Sequence, residues 1–182
     1  MCHFARRIAG VGAHVYVVMV ALLTYAGAAG ALTWGVVREP VHGYTIRDID
    51  FANATRGFAV GDRGTVLRTV DGGVHWRPLA APTERDLHAV AHATPMVAWA
   101  VGSGGIALRT QDAGATWIPT DVGSGGRLRA IAFASENVGW IVGDDGVILR
   151  TSDGSRWERR QTDVSTPLAT VVAVSDREAY AA

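Results

Sequence analysis

A repeat runs through this sequence. Gly57-Phe58-Ala59-Val60-Gly61 returns as Ala98-Trp99-Ala100-Val101-Gly102 and again as Gly139-Trp140-Ile141-Val142-Gly143, each time 41 residues further on. Val66-Leu67-Arg68-Thr69 returns on the same step as Ala107-Leu108-Arg109-Thr110 and as Ile148-Leu149-Arg150-Thr151. Asp71, Asp112 and Asp153 keep the step. Trp76, Trp117 and Trp157 follow at 41 and then 40, because the third copy is one residue shorter. Such a chain reuses one supersecondary unit, and each unit buries its faces only against its neighbours.

Each unit reads as four short strands. In the third copy these are Leu128–Phe133, Gly139–Val142, Val147–Thr151 and the stretch from Trp157 onward. Between the second and third strands stand Gly61-Asp62-Arg63-Gly64, Gly102-Ser103-Gly104-Gly105 and Gly143-Asp144-Asp145-Gly146, read as hairpin turns because Gly and Asp tolerate positive φ. No segment after residue 40 keeps a helical period. Four short strands in about 40 residues is the size of one β-propeller blade. The expected fold is therefore all-β: three four-stranded blades over about residues 46–86, 87–127 and 128–167, plus a truncated fourth over 168–182. Val172-Ala173-Val174 is read in register with Ile131-Ala132-Phe133. Propellers use about four to eight blades, so closing blades are expected downstream in a longer chain.

The first forty residues are of another kind. Arg6 and Arg7 precede an uncharged run from Ile8 to Val37 in which only His14 could carry charge near neutral pH, and Arg38-Glu39-Pro40 ends it. As a helix the run is about 45 Å long, and a bilayer core needs about 20 residues. The apolar character continues through Leu32, Trp34, Val36 and Val37. That favours an uncleaved signal anchor over a signal peptide cleaved at Ala26-Gly27-Ala28 or Ala29-Gly30-Ala31. Residues 1–40 are thus one signal or transmembrane helix, spanning the membrane through residues 8–37. The leading arginines place the N-terminus in the cytoplasm and residues 41–182 in the periplasm or outside the cell, secreted if the signal is cleaved.

Composition narrows the function classes. Arginine supplies all 17 basic residues against 17 acids, so the formal net charge is zero. A nucleic-acid binder normally carries a basic excess, and nucleic acid is excluded as a partner. The lone cysteine, Cys2, builds neither an internal disulfide nor a cysteine zinc site. His88 and His92 are four apart, a spacing that suits metal only on a helix, and this segment reads as strand. No cofactor, metal or catalytic set is expected: Gly-x-Ser-x-Gly elbow, P-loop and dinucleotide fingerprint are all missing from any usable context.

The turn between the third and fourth strands is the sharpest motif. Thr110-Gln111-Asp112-Ala113-Gly114-Ala115-Thr116-Trp117 fits the Asp-box pattern Ser/Thr-x-Asp-x-Gly-x-Thr/Ser-Trp in full. Thr69-Val70-Asp71-Gly72-Gly73-Val74-His75-Trp76 fits except at His75. Thr151-Ser152-Asp153-Gly154-Ser155-Arg156-Trp157 is a degraded copy with one residue missing. The carboxylate of each box is expected to accept backbone N–H groups across the turn, the glycine to supply positive φ, and the tryptophan to act as a buried anchor with its indole N–H available to one acceptor. Thr69, Asp71, Gly73 and Trp76, with Thr110, Asp112, Gly114, Thr116 and Trp117 and with Thr151, Asp153 and Trp157, are accordingly structural residues.

These motifs resemble the photosystem II stability and assembly factor family of Asp-box (BNR-type) propellers. The resemblance covers residues 46–182 and implies an extracytoplasmic, non-catalytic scaffold that binds protein partners, in the founding members a membrane complex. Arg68, Arg109 and Arg150 are the candidate partner-binding residues, because equivalent positions in successive blades form an arc able to grip carboxylates. The competing expectation pairs each arginine with an Asp of its own or the next blade. The alternative function is a carbohydrate-active protein, sialidase-like or glycan-binding, since sialidases share box and propeller. Their Arg-Ile-Pro segment is missing, with Asp48 following Arg47, and Tyr44 and Tyr180 are the only tyrosines beyond the membrane segment.

Overall fold

The computed structural model describes residues 45–182, together with the backbone of a short antiparallel pair, β1 (Met19–Ala21) and β2 (Trp34–Val36). Apart from these two short strands, the segment of the expected membrane helix lies outside the described residues, as does the choice between anchor and cleaved signal. Among the described residues no helix is long and apolar enough to cross a membrane.

Three four-stranded antiparallel meanders follow one another. The first holds β3 (Ile46–Phe51), β4 (Gly57–Gly61), β5 (Val66–Thr69) and β6 (Arg77–Leu79). The second holds β7 (Leu87–His92), β8 (Ala98–Gly102), β9 (Ala107–Thr110) and β10 (Ile118–Pro119). The third holds β11 (Leu128–Phe133), β12 (Gly139–Gly143), β13 (Ile148–Thr151) and β14 (Glu158–Arg159). A hairpin of β15 (Val171–Ser175) and β16 (Glu178–Ala181) comes last. The first strands of successive sheets pack against one another. The fourth strands are short and mostly exposed, and Pro78 and Pro119 leave two of them unfit to take a further strand.

The core lies in layers between the sheets. Phe58, Val60 and Val66 of the first sheet meet Leu87, Val90, Ala100 and Leu108 of the second. Trp99, Val101 and Ala107 of the second meet Leu128, Ile131, Ile141 and Leu149 of the third. Trp140 and Val142 of the third meet Leu168 and Val171. The second strands are buried along their whole length, which is why they read as continuous apolar runs without alternation.

Two glycine positions explain the recurring Gly-x-x-Gly hairpin. A Cβ on Gly61 would come within 1.9 Å of the Thr45 carbonyl oxygen, because the neighbouring Asp62 N–H bonds that carbonyl at 3.0 Å. Gly64, at φ +69°, faces the Thr83 carbonyl as closely and donates its N–H to Arg85 on the way to the next sheet. The turns themselves are more than simple hairpins. Asp62–Gly64, Ser103–Gly105 and Asp144–Gly146 each form one 3₁₀ turn whose middle residue is left-handed: Arg63, Gly104 and Asp145 at φ 54°, 63° and 56°.

The last hairpin corrects the sequence reading by one residue. Val171, not Val172, takes the place of Ile131: Val171 is 7% exposed against the third sheet, whereas Val172 is 59% exposed. The residue lost from the third box carries forward, and in a strand a one-residue shift exchanges the two faces. Tyr180 then stands opposite Val172 as Trp140 stands opposite Ala132 and Trp99 opposite Ala91.

Candidate functional site

The box turns lie at one end of each sheet and the 3₁₀ turns at the other. In the second box the Thr110 hydroxyl donates to Asp112 Oδ1 at 2.8 Å and accepts the buried Gly114 N–H at 2.9 Å. Asp112 Oδ1 also accepts the Thr116 N–H at 2.9 Å, and Oδ2 accepts its hydroxyl at 2.6 Å. The hydroxyl and N–H of Thr116, then the hydroxyl of Thr110, pull the Asp112 carboxyl down to about 2. In the first box His75 replaces that threonine without loss. Its N–H bonds Asp71 Oδ1 at 2.9 Å and its Nδ1 lies 2.7 Å from Oδ2, and these two contacts lower Asp71 to about 2. The shortened third box keeps the carboxylate contacts through the N–H groups of Arg156 and Ser155, which hold Asp153 below the usual range, but no N–H reaches the Thr151 hydroxyl from the far side of the turn. Gly73 and Gly114 take φ +90° and +85°.

Two of the box tryptophans, Trp117 and Trp157, join neighbouring sheets. Trp117 packs edge-on against Phe58 of the preceding sheet, with ring centroids 5.2 Å apart. Trp157 does the same to Trp99 of the preceding sheet at 5.4 Å, and also meets Phe133 of its own. Trp76 meets Phe51 of its own sheet at 5.9 Å. The indole N–H groups of Trp117 and Trp157 have no acceptor among the described protein groups. Ring packing holds these anchors.

The arginines depart from the salt-bridge expectation. Arg68, Arg109 and Arg150 are half-buried at one place on the third strand of each sheet, opposite Phe58, Trp99 and Trp140. None is paired with an Asp carboxylate among the described residues. The guanidiniums of Arg109 and Arg150 lie over Trp99 and Trp140, 5.4 and 5.5 Å from the ring centroids. Arg150 Nη2 bonds the Asp176 backbone carbonyl at 2.7 Å, and the Arg109 Nε is buried without an acceptor. An aromatic face supplies part of what the expected carboxylate would have given, and leaves the charge uncompensated.

The arginine–aspartate pairs that do repeat lie elsewhere. A β-bulge early in each first strand re-aims one side chain toward the 3₁₀ turn. There Arg47 pairs with Asp62 and Arg129 with Asp144, while His88 Nε2 lies 2.9 Å from Ser103 Oγ in the sheet between them. Burial, then the charge of Arg47, lowers the His88 pKa.

His92 is a contact the sequence did not reveal. Its side chain is 7% exposed, stacks on Phe58 at 5.0 Å and places Nδ1 2.8 Å from Asp50 Oδ2, joining the first two sheets. Burial pushes Asp50 up, but the His92 ring and N–H outweigh it and hold the carboxyl below the usual range. A signal for it in the sequence is Asp48 and Asp50, two carboxylates alternating along the first strand; they accept the Val90 and His92 N–H groups at 2.9 and 2.7 Å. Among the described residues no group of His, Cys, Asp and Glu is placed to hold a metal ion.

Comparison with known proteins places these features. The model of the photosynthesis system II assembly factor YCF48 family matches residues 27–124, more than half of the chain. A solved YCF48 bound to D1 peptide is 28% identical, with a TM-score of 0.59 over 66% of this chain and 42% of that one. YCF48 from Cyanidioschyzon merolae is also 28% identical, with a TM-score of 0.61 over 70% of this chain and 43% of that one. The chain therefore spans about two fifths of the length of these relatives. The GH74 enzyme of Niastella koreensis, at 16% identity and TM-score 0.58 over 75% of this chain and 26% of that one, shares the fold alone. Comparison with curated proteins gives no match.

Proposed function

The chain belongs to the photosynthesis system II assembly factor YCF48 family, and from that premise we propose that it is a non-catalytic, extracytoplasmic propeller scaffold that binds protein partners. The observation that carries this reading is the row of Arg68, Arg109 and Arg150. Three cations repeat at the box end of three successive sheets, two of them laid on tryptophan and none neutralised by a carboxylate among the described residues. A guanidinium held over an indole has less side-chain freedom left to lose when it bonds a partner carboxylate. The relative solved with a peptide supports a polypeptide as that partner. Residues 8–37 tether the scaffold, which brings it beside its partner, a membrane complex.

The test is capture from detergent-solubilised membranes. Charge reversal of Arg68, Arg109 and Arg150 together abolishes capture of the complex, and the triple glutamine variant, which keeps much of the aliphatic stem over the indoles, abolishes it with an unchanged melting curve. Undiminished capture by the glutamine variant overturns the reading.

A further inference from the structure

The first sheet carries a groove of about 330 Å³ lined by Arg68, Val70, Asp71, His75, Arg77 and Leu79. Arg68 of β5 and Arg77 of β6 stand directly opposite each other, so both side chains leave the sheet on one face. Like charges in such a pair repel unless something anionic comes between them. The corresponding pairs in the next two sheets are Arg109 with Ile118 and Arg150 with Glu158. Of the three, only the first sheet doubles the charge, and neither guanidinium has a partner among the described residues. Asp71, the carboxylate in the groove, makes no ion pair with either of them and leaves the lining with one positive charge in excess. Asp71 Oδ1 is bonded by the Thr69 hydroxyl and the His75 N–H, and Oδ2 by the His75 ring. Beside the two cations Val70 is 56% exposed and Leu79 half-buried, an apolar shelf next to an anion-seeking fork.

We propose that this groove docks an acidic stretch of a partner polypeptide. One carboxylate is gripped between Arg68 and Arg77, and a neighbouring aliphatic side chain rests on Val70 and Leu79. A small inorganic anion uses the fork and wastes the shelf; an apolar surface uses the shelf and leaves the cations unsatisfied. The inference rests on the reading of the chain as a protein-binding scaffold, and narrows it to the first sheet by way of Arg77, a residue outside the repeated row.

The experiment is fluorescence anisotropy on the full chain with a labelled alternating leucine–glutamate octapeptide, and the leucine–glutamine octapeptide as control. The glutamate peptide binds, and the glutamine peptide binds at least about tenfold more weakly. Arg77→Gln weakens the glutamate peptide about tenfold with an unchanged melting curve, whereas Arg159→Gln, on the exposed β14 of the third sheet and outside the arginine row, changes it by less than about twofold. Equal binding of the two peptides, binding of neither, or an Arg77→Gln variant that matches wild type overturns the proposal. If the membrane complex is captured through the arginine row while Arg77→Gln is silent, the groove falls and the scaffold reading stands. If the peptide binds through Arg77 and no membrane complex is captured, the groove stands and the scaffold reading falls.

Discussion

Thr110 and Thr151 hold the same place in two boxes but do different work. The Thr110 hydroxyl is the acceptor for the buried Gly114 N–H, whereas the Thr151 hydroxyl meets only groups of Asp153. Thr110→Val therefore strands a buried donor and costs about 2 kcal/mol, and Thr151→Val costs about 1 kcal/mol or less, read as shifts in the urea midpoint. The aspartates set the acid limit. Asp71 and Asp112 are depressed from 3.8 to about 2, so their contribution is complete above the unfolded value and lost as pH falls through that window. Between pH 4 and pH 2 the wild-type melting temperature drops, and Asp112→Asn drops less over the same range while starting lower. The boxes were legible in the sequence because all their bonds close within a few residues. The Asp50–His92 pair was not, because it spans 42 positions and depends on how two sheets stack. The arginine row was legible as a row, but its aromatic partners were not, because whether Asp or Trp lies under a guanidinium is set by cross-strand register.

At the scale of elements, the box turn is both a hairpin and a wedge between sheets. A Cβ on Gly114 would lie 2.5 Å from the Phe58 ring of the preceding sheet, whereas one on Gly73 would meet nothing closer than 3.6 Å. Both glycines are left-handed. Gly73→Ala thus costs the backbone term of about 1–2 kcal/mol, and Gly114→Ala costs about 3 kcal/mol because it also forces two sheets apart; chemical denaturation of the two variants measures the difference. Strand positions were readable from period and turn residues. The 3₁₀ turns were not, since Gly-Asp-Arg-Gly serves a plain hairpin equally well. The register of β15 was missed because a single deletion upstream moves every later residue to the opposite face.

At the scale of the molecule, the first strands of successive sheets pack together among the described residues, and the aromatics of the first two second strands fill the space beside the next sheet's box. Phe58 and Trp99 are covered in this way by Trp117 and Trp157. Tyr180, at the same place on β16, is 63% exposed. The stacking sets the three arginines in a row at one end of the sheets and the arginine–aspartate pairs at the other, so the two ends offer different chemistry. Protein binding through the box end is the central claim, and photo-crosslinking tests it most directly. A benzophenone side chain is placed at Ile118, exposed and directly opposite Arg109, and in a second protein at Arg63 in the 3₁₀ turn at the far end. The account predicts a crosslinked membrane protein from position 118 and none from position 63. A crosslink from position 63 alone would contradict it.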